Sequence, residues 1–356
     1  MLTGNKGEWS EIYALLKIVA DKQLYPGDGN LKKLANSVLP IIKVLRAESD
    51  GTYEYDIQQD LVIINGAGRQ FTIPIFEFQR YSKILFEEIK SASGTFAIPE
   101  VEDFMTSFNC FSIKASSNVK SDIHIVLHDI TTGSTPELGF SIKSQLGKAS
   151  TLLNAGKTTN FIYKIQGVNL SSDEINQIND DDNTIKKRLE AIAAFKKSLT
   201  FIKTERTTFS NNLRLIDSVL PEIMAEIVYL FYSSTHTSLA DLVNAVSISN
   251  PLNFDISNNH PFYSYKIKRF LTDIALGMMP SKVWTGKLEA TGGYLVVKKD
   301  GEILVYHIYN RNDFEDYLLK NTKLETADLG RHEFGVVYEE DGAQFFNLNL
   351  QIRFIK

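Results

Sequence analysis

The sequence predicts a mixed α/β fold, an α+β arrangement in which a mixed sheet is flanked by helices. Three observations predict it. Apolar residues near the N-terminus recur at helical spacing, short alternating segments run from residue 52 to 165, and helical patterns fill residues 171–285 before strands return. We therefore expect a core at residues 1–168, a helical segment at 169–285, and a β-rich C-terminal part at 286–356 that contacts the substrate.

The first element is an amphipathic helix in segment 4–19. Its apolar positions recur at i, i+3, i+4 and i+7, and they are Ile12, Leu15, Leu16 and Val19. Two acids, Glu8 and Glu11, border this apolar face one turn earlier. A carboxylate in that position either caps the helix or points at the sheet on which the helix packs. We assign Glu11 to the sheet side and Glu8 to the cap or its neighbourhood.

The remaining elements follow from periodicity and turn signals. Helical or mixed structure is expected at 31–48, and helices are expected at 76–92, 101–109, 180–201, 220–234, 238–246, 263–277 and 312–321. Strands are expected at 52–57, 60–66, 69–75, 111–115, 122–127, 139–143, 159–165, 294–298, 302–309, 333–340 and 345–356. A loop with a short helix is expected at 144–156.

Composition places the chain among ordinary globular proteins. Of its 356 residues, 43% are hydrophobic and 23% are charged, which is enough apolar material for a sizeable core. The net charge of −5 argues against indiscriminate adhesion to nucleic acid, although basic residues can still gather in one cleft. A single cysteine, Cys110, cannot form an intrachain disulfide and fits a reducing cytoplasm. The absence of a long apolar run predicts no membrane association.

Two neighbouring strands carry the residues with the clearest chemical potential. Strand side chains alternate between faces, so Asp122 shares a face with His124, and Lys143 shares one with Ser141. The turn-rich stretch 131–137 between them suits an antiparallel pair that holds Asp122 and Lys143 side by side. The plain alternative is two solvated strand ends.

An aspartate beside a lysine is what metal-assisted hydrolysis of a phosphodiester requires. A hard cation neutralises the phosphate and lowers the pKa of the attacking water. Mg²⁺ favours one or two carboxylates plus other oxygens, so Asp122, Glu11 and the carbonyl of Ile142 are the expected ligands. Lys143 would orient the water and offset the developing charge, with Ser141 hydrogen-bonding beside it.

With these residues in hand, the chain resembles the HpaII-type restriction endonucleases of the PD-(D/E)xK nuclease superfamily. The segments that carry the resemblance are 4–17, 139–165, 291–311 and 347–356. It implies a PD-(D/E)xK core and a Mg²⁺-dependent enzyme that cuts double-stranded DNA within a short palindrome, with CCGG as the family's typical target. A palindrome with one active centre per chain implies a homodimer, and a monomer that nicks the two strands in sequence is the alternative.

The chain departs from the superfamily pattern at two positions. Ser121 stands where a proline usually precedes the aspartate, and Ser141 stands where an acid usually precedes the lysine by two residues. A serine is not a full carboxylate ligand, so Glu11 from the first helix is our candidate for the missing acid. Glu137 and Asp129 remain alternatives, although both belong to the turn region.

DNA contacts are expected on both sides of this pair. Gln145 and Lys148 follow the lysine strand, close to where the cleaved phosphate would lie, whereas the other candidates occupy turn-like segments of the C-terminal part. Those others are Lys287, Arg311, Arg331 and His332. Two rival functions remain open: a structure-specific repair or junction nuclease, and a DNA-binding protein on a degenerate nuclease scaffold, which Ser141 would favour.

Overall fold

The computed structural model describes residues 1–114, 121–130, 132–180 and 182–356. The helices are α1 Lys6–Asp21, α2 Ile75–Ser91, α3 Pro99–Thr106, α4 Ser172–Asn179, α5 Ile185–Ala194, α6 Thr207–Ile216, α7 Leu220–Ser233, α8 Leu239–Ser249, α9 Phe262–Leu276, α10 Arg311–Lys320 and α11 Leu329–His332.

The strands are β1 Gln23–Pro26, β2 Leu39–Glu48, β3 Gly51–Ile57, β4 Leu61–Gly66, β5 Arg69–Pro74, β6 Ile123–Leu127, β7 Glu137–Ser144, β8 Thr151–Leu153, β9 Asn160–Gln166, β10 Ser198–Thr204, β11 Gly293–Val297, β12 Ile303–His307, β13 Thr322–Leu324, β14 Val337–Glu340, β15 Ala343–Asn349 and β16 Ile352–Phe354. The predicted mixed α/β class is confirmed. In the described part of the chain, no helix combines the length and the apolar character needed to cross a membrane.

The chain forms two compact units, each assembled from segments that are distant in sequence. The first unit comprises Met1–Ser150, Leu288–Tyr317 and Lys356, and the second comprises Thr151–Lys287 and Leu318–Ile355.

A mixed sheet forms the body of the first unit. Over the described residues its strand order is β1-β12-β11-β7-β6-β2-β3-β4-β5. The β7–β11 and β1–β12 pairs are parallel, and the remaining neighbours are antiparallel. The β6–β7 pair matches the antiparallel arrangement expected from the sequence.

Helix α1 covers one face of this sheet, as its periodicity predicts. Its predicted apolar positions are buried and pack in one cluster with Ile123 of β6 and Phe140 of β7. The helix begins at a capping box, in which the Asn5 side chain accepts from the N–H of Glu8 and the Glu8 carboxylate accepts from the N–H of Asn5. Glu8 is therefore a cap, as the sequence suggested.

The second unit combines helices α4–α9 with two small sheets. One sheet has the order β10-β9-β15-β14 and the other β13-β16-β8, and every pairing in them is antiparallel. Tyr163 of β9 donates to the carbonyl of Ala225 in α7 at 2.7 Å, which ties the larger sheet to its covering helix.

Four expectations about single elements were wrong. Segment 31–48 yields strand β2, whose β-branched residues suit a position inside a sheet. The helix expected at 180–201 ends at Ala194, because Lys196 takes a left-handed φ of 58° and β10 follows. The short helix expected near residue 152 is strand β8. The strand expected at 111–115 does not form over its described residues 111–114.

Candidate active site

Asp122 closes the end of the β6–β7 pair. Its N–H donates to the carbonyl of Phe140 at 2.8 Å, which is the last ladder bond of the pair. Its Oδ2 accepts from the N–H of Ile142 at 2.6 Å. The carboxylate thus takes the place of the backbone carbonyl that a longer β6 would offer to this N–H. The same Oδ2 accepts from the Ser141 hydroxyl at 3.1 Å. Two bonds to β7 thus fix the carboxylate at the strand end.

Lys143 joins this group through Ser141. Its Nζ donates to Ser141 Oγ at 2.9 Å, so an unbroken series of bonds runs from Lys143 through Ser141 to Asp122. The Nζ also lies 5.0 Å from the ring centre of Tyr294. The structure therefore brings Asp122, Ser141 and Lys143 together on one face of the sheet, the face opposite Phe140.

The backbone of Ile142 presents its carbonyl to the same place. In an antiparallel pair, the N–H and C=O of one residue point toward the same neighbour. Because the N–H of Ile142 points at Asp122, its C=O points toward the strand end that Asp122 occupies. Strand β6 begins at Ile123, which pairs with Phe140, so its ladder does not extend to Ile142.

Comparison with known proteins identifies the class of enzyme. The family model for HpaII restriction endonuclease matches residues 5–354. The type II restriction enzyme HpaII of Haemophilus parainfluenzae is 50% identical over 357 aligned positions, which cover 99% of this chain and 99% of that protein.

The chain belongs to the HpaII restriction endonuclease family. It is a site-specific endonuclease, a hydrolase that acts on DNA. No solved structure matches it significantly. The predicted resemblance is confirmed, and enzymes of this family generally depend on a divalent metal.

The donors at the strand end suit a hard divalent cation in this HpaII-family chain. Both side-chain contacts of Asp122 with described residues use Oδ2, which leaves Oδ1 for a ligand. Within the described ranges, no three His, Cys, Asp or Glu side chains group around a common metal position. Zinc sites need three or four such side chains, whereas magnesium accepts few carboxylates and completes its shell with water and phosphate oxygens.

Glu11 approaches from the other face of the sheet. It lies on α1, and α1 covers the Phe140 side of β7, where Ser10 Oγ is 2.8 Å from Ser144 Oγ. The Glu11 carboxylate is close enough to Arg46 and Lys114 to favour their charged forms. The structure thus does not place Glu11 in the hydrogen-bonded group around Asp122, and its role as a ligand stays a prediction.

Glu8 is engaged elsewhere. Its Oε1 accepts from Lys114 Nζ at 2.8 Å, and this bond, together with the one to the Asn5 N–H, lowers the pKa of the Glu8 carboxyl. The two glutamates of α1 therefore have different roles: Glu8 closes the capping box, and Glu11 lies near the basic residues Arg46 and Lys114.

A buried ionic cluster beside α1 was not anticipated from the sequence. Arg46 of β2 pairs with Glu48, and its guanidinium also contacts Cys110 Sγ at 2.9 Å and the Ser112 carbonyl at 2.8 Å. Burial raises the pKa of the Cys110 thiol to about 12, so the thiol stays protonated. Cys110 is buried within this cluster and has a structural role.

His124 lies beside Asp122 on β6, where it bonds locally. Its Nδ1 is 3.2 Å from Glu137 and its Nε2 is 3.2 Å from Ser121. Both ring nitrogens of His124 thus lie within hydrogen-bond distance of neighbouring side chains. The contact with Nδ1 places Glu137 beside the imidazole of His124, outside the hydrogen-bonded series of Asp122, Ser141 and Lys143.

The candidate DNA contacts fall in both units. In the first unit, Lys148 is exposed, the Gln145 N–H donates to the Val297 carbonyl, and Arg311 pairs with Glu315 at 2.6 Å. In the second unit, Lys287 and Arg331 are exposed and His332 is half-buried. Their contact with DNA remains a prediction.

Tyr294 is the site residue that the sequence analysis missed. The parallel β7–β11 register sets it opposite Ser141, so its side chain stands on the Lys143 face. Segment 294–298 was predicted to be a strand, but the pairing of β11 with β7 joins residues far apart in sequence.

Proposed function

We propose that this enzyme hydrolyses both strands of double-stranded DNA at a short palindrome, using Mg²⁺. The relative's name, type II restriction enzyme HpaII, together with the family resemblance, favours CCGG as the target. The observation that carries the chemistry is the hydrogen-bonded series from Lys143 through Ser141 to Asp122 on one sheet face.

Each residue has a distinct part in this proposal. Asp122 Oδ1 and the Ile142 carbonyl would hold the cation, with Glu11 as the further acid reaching the strand end from α1. When bound, Mg²⁺ neutralises the phosphate and makes water a better nucleophile. Lys143 donates toward the attacking water and the phosphate oxygens, where negative charge develops. Ser141 holds the ammonium and the carboxylate at fixed separation.

The palindrome also bears on assembly. One described cluster per chain cuts one strand, so two-fold related copies would cut both strands of a symmetric site. We therefore propose a homodimer on DNA. Gln145 and Lys148 would contact the backbone near the cleaved phosphate, and Lys287, Arg311, Arg331 and His332 are the other proposed base or phosphate contacts.

Digestion of unmethylated plasmid DNA tests the proposal. With Mg²⁺, discrete fragments whose mapped ends all fall within CCGG are expected, and Lys143→Ala should abolish cutting while DNA binding persists. A matched control is Lys299→Ala, which removes an exposed lysine from the turn after β11. Uncut plasmid, or fragments with unrelated ends, would refute the proposed specificity. Unchanged cutting by Lys143→Ala would refute the assigned site while leaving the enzyme class intact.

A further inference from the structure

The Lys143 ammonium rests against an aromatic ring. Its Nζ lies 5.0 Å from the ring centre of Tyr294, within the range in which a cation is attracted to the face of a ring. Tyr294 is only 2% exposed and is held by Phe314, whose ring centre is 5.3 Å away in an edge-on contact. The ring is thus a fixed surface at the site.

Tyr294 keeps its phenol protonated. Burial raises the pKa of its hydroxyl, and the nearby Asp122 charge raises it further. The group beside Lys143 therefore carries no formal charge at neutral pH. It attracts the ammonium through the electron density of the ring face without forming an ion pair with it.

We infer that Tyr294 is a positioning residue that fixes the direction of the Lys143 ammonium for catalysis. This inference rests on the role proposed above for Lys143.

A flexible lysine needs more than one contact to be held in one direction. Its four-carbon stem rotates freely, and any one hydrogen bond, such as the bond to Ser141 Oγ, lets an ammonium rotate about it. An ammonium has three N–H groups, and the hydroxyl and the ring face each restrict the directions that these groups take. A carboxylate in place of the ring would hold the ammonium too, but it would also compete with the phosphate for its charge.

The strand register makes this arrangement specific. Tyr294 pairs with Ser141 across the parallel β7–β11 ladder, so ring, hydroxyl and ammonium project from the same face of adjacent strands. The neighbouring Tyr306 provides a contrast: it is 1% exposed in β12, and its ring stacks on Tyr317 at 4.0 Å. Tyr306 is thus a buried tyrosine of the same sheet, and its ring packs against another aromatic ring.

Single-turnover cleavage of a duplex with one CCGG site tests the inference. Tyr294→Leu should lower the cleavage rate roughly tenfold, the usual scale for a desolvated cation–ring contact. Tyr294→Phe keeps the ring and should restore nearly the whole rate. The dissociation constant for the same duplex, measured in EDTA, should change less than about twofold, because the ring acts through Lys143 and not on DNA.

Control variants separate positioning from general loss of structure. Tyr306→Leu should lower the melting temperature as Tyr294→Leu does, yet leave the rate per folded enzyme unchanged. Lys143→Ala combined with Tyr294→Leu should be no slower than Lys143→Ala alone. If Tyr294→Leu does not fold, Tyr294→Met, whose unbranched and flexible side chain adapts better to an irregular space, takes its place with the same expected rate.

Each contrary result has a defined meaning. Full-rate cleavage by Tyr294→Leu would overturn the inference, and so would a Tyr294→Phe variant as slow as Tyr294→Leu, because the hydroxyl would then be the important group. If Lys143→Ala cuts normally, the proposed function fails at its site and the inference falls with it. If Lys143→Ala is inactive and Tyr294→Leu is normal, the inference alone fails.

Discussion

At the scale of single residues, Ser141 occupies the position where the superfamily places an acid, and its hydroxyl takes part in two hydrogen bonds. Its hydroxyl donates to Asp122 at 3.1 Å and accepts from Lys143 at 2.9 Å. A hydroxyl can do both because it has one donor and two acceptor lone pairs. Ser141 therefore acts as a spacer between the ammonium and the carboxylate, a role that an ionised acid could not fill because it has no proton to donate to Asp122.

We expect Ser141→Ala to slow cleavage by about tenfold to a hundredfold, because hydrogen bonds to charged groups each contribute about 1.5–3 kcal/mol. Ser141→Thr keeps the hydroxyl and serves as the matched control, with a rate within a few-fold of wild type. Rates under single-turnover conditions provide the measurement. Equal rates for Ser141→Ala and wild type would show that the spacer is dispensable.

Replacing each of the two glutamates of α1 by alanine should have different effects. Glu8→Ala removes half of the capping box and should lower the free energy of unfolding by about 1 kcal/mol with little change in activity per folded molecule. Glu11→Ala should instead raise the Mg²⁺ concentration required for half-maximal cleavage. Urea titrations and Mg²⁺ titrations measure the two effects. An unchanged Mg²⁺ requirement in Glu11→Ala would remove Glu11 from the proposed ligands.

The Glu8 effect should also depend on pH. Because its partners lower the pKa of the folded Glu8 carboxyl, its contribution is complete above the ordinary carboxyl pKa of 4.5 and is lost as pH falls through the lower folded value. The difference in stability between wild type and Glu8→Ala should accordingly shrink in acid. A difference that grows below pH 4.5 would contradict this sign.

At the scale of elements, local signals predicted most of what surrounds the site. The α1 period, the alternation around Asp122 and the turn between β6 and β7 all act within a few residues, and each of those predictions agrees with the structure. Strand β2 was not predicted, because its apolar residues suit either a helix or a strand until its neighbours are known. The contact between Lys143 and Tyr294 was not predicted, because it depends on a parallel pairing between segments that are distant in sequence.

The antiparallel pair of β11 with β12 has a backbone requirement at the start of β11. Gly293 has φ of 103°, and a Cβ there would lie 2.1 Å from the carbonyl oxygen of Tyr306 on the next strand. Gly293→Ala should therefore cost more than about 3 kcal/mol of stability, or require β11 to move. Gly68→Ala is the matched control, since Gly68 has φ of 72° and open space around it, so only about 1 kcal/mol is expected.

Thermal unfolding and cleavage should be measured on both glycine variants. Gly293→Ala should also lose cleavage activity in its remaining folded fraction, because a displaced β11 moves Tyr294 away from Lys143. A Gly293→Ala protein as stable and as active as Gly68→Ala would show that the β11–β12 pair adjusts without cost.

At the scale of the whole molecule, the dependence of the unfolding free energy on pH should include a contribution from a buried histidine. His307 is 3% exposed, its Nδ1 accepts from the Tyr309 N–H at 3.0 Å, and burial lowers its pKa to about 4. Its contribution is therefore complete above the ordinary histidine pKa of 6.5 and is lost as pH falls toward 4, with a total of roughly 3 kcal/mol. His307→Asn, which retains an acceptor, should flatten the dependence of unfolding free energy on pH between 7 and 5. An unchanged dependence would exclude this origin.

The order of segments along the chain also limits which fragments can fold. Strand β7 needs β11 as its neighbour on one side, but the whole segment Thr151–Lys287 of the second unit lies between them in sequence. A fragment of residues 1–168 contains the proposed Asp122–Lys143 pair but lacks β11 and β12, so β7 would become an edge strand with unpaired backbone N–H and C=O groups. We expect this fragment not to unfold cooperatively by circular dichroism.

A fusion of 1–150 to 288–317 supplies the missing strands and is the corresponding control. Parallel neighbours require a crossover, so a flexible linker of about a dozen residues is needed to carry the chain from the end of β7 back to the start of β11. The fusion should unfold cooperatively where the shorter fragment does not. Cooperative unfolding of residues 1–168 alone would show that the sheet is stable without β11, and that Lys143 can be placed before the distant segment that carries Tyr294 has docked.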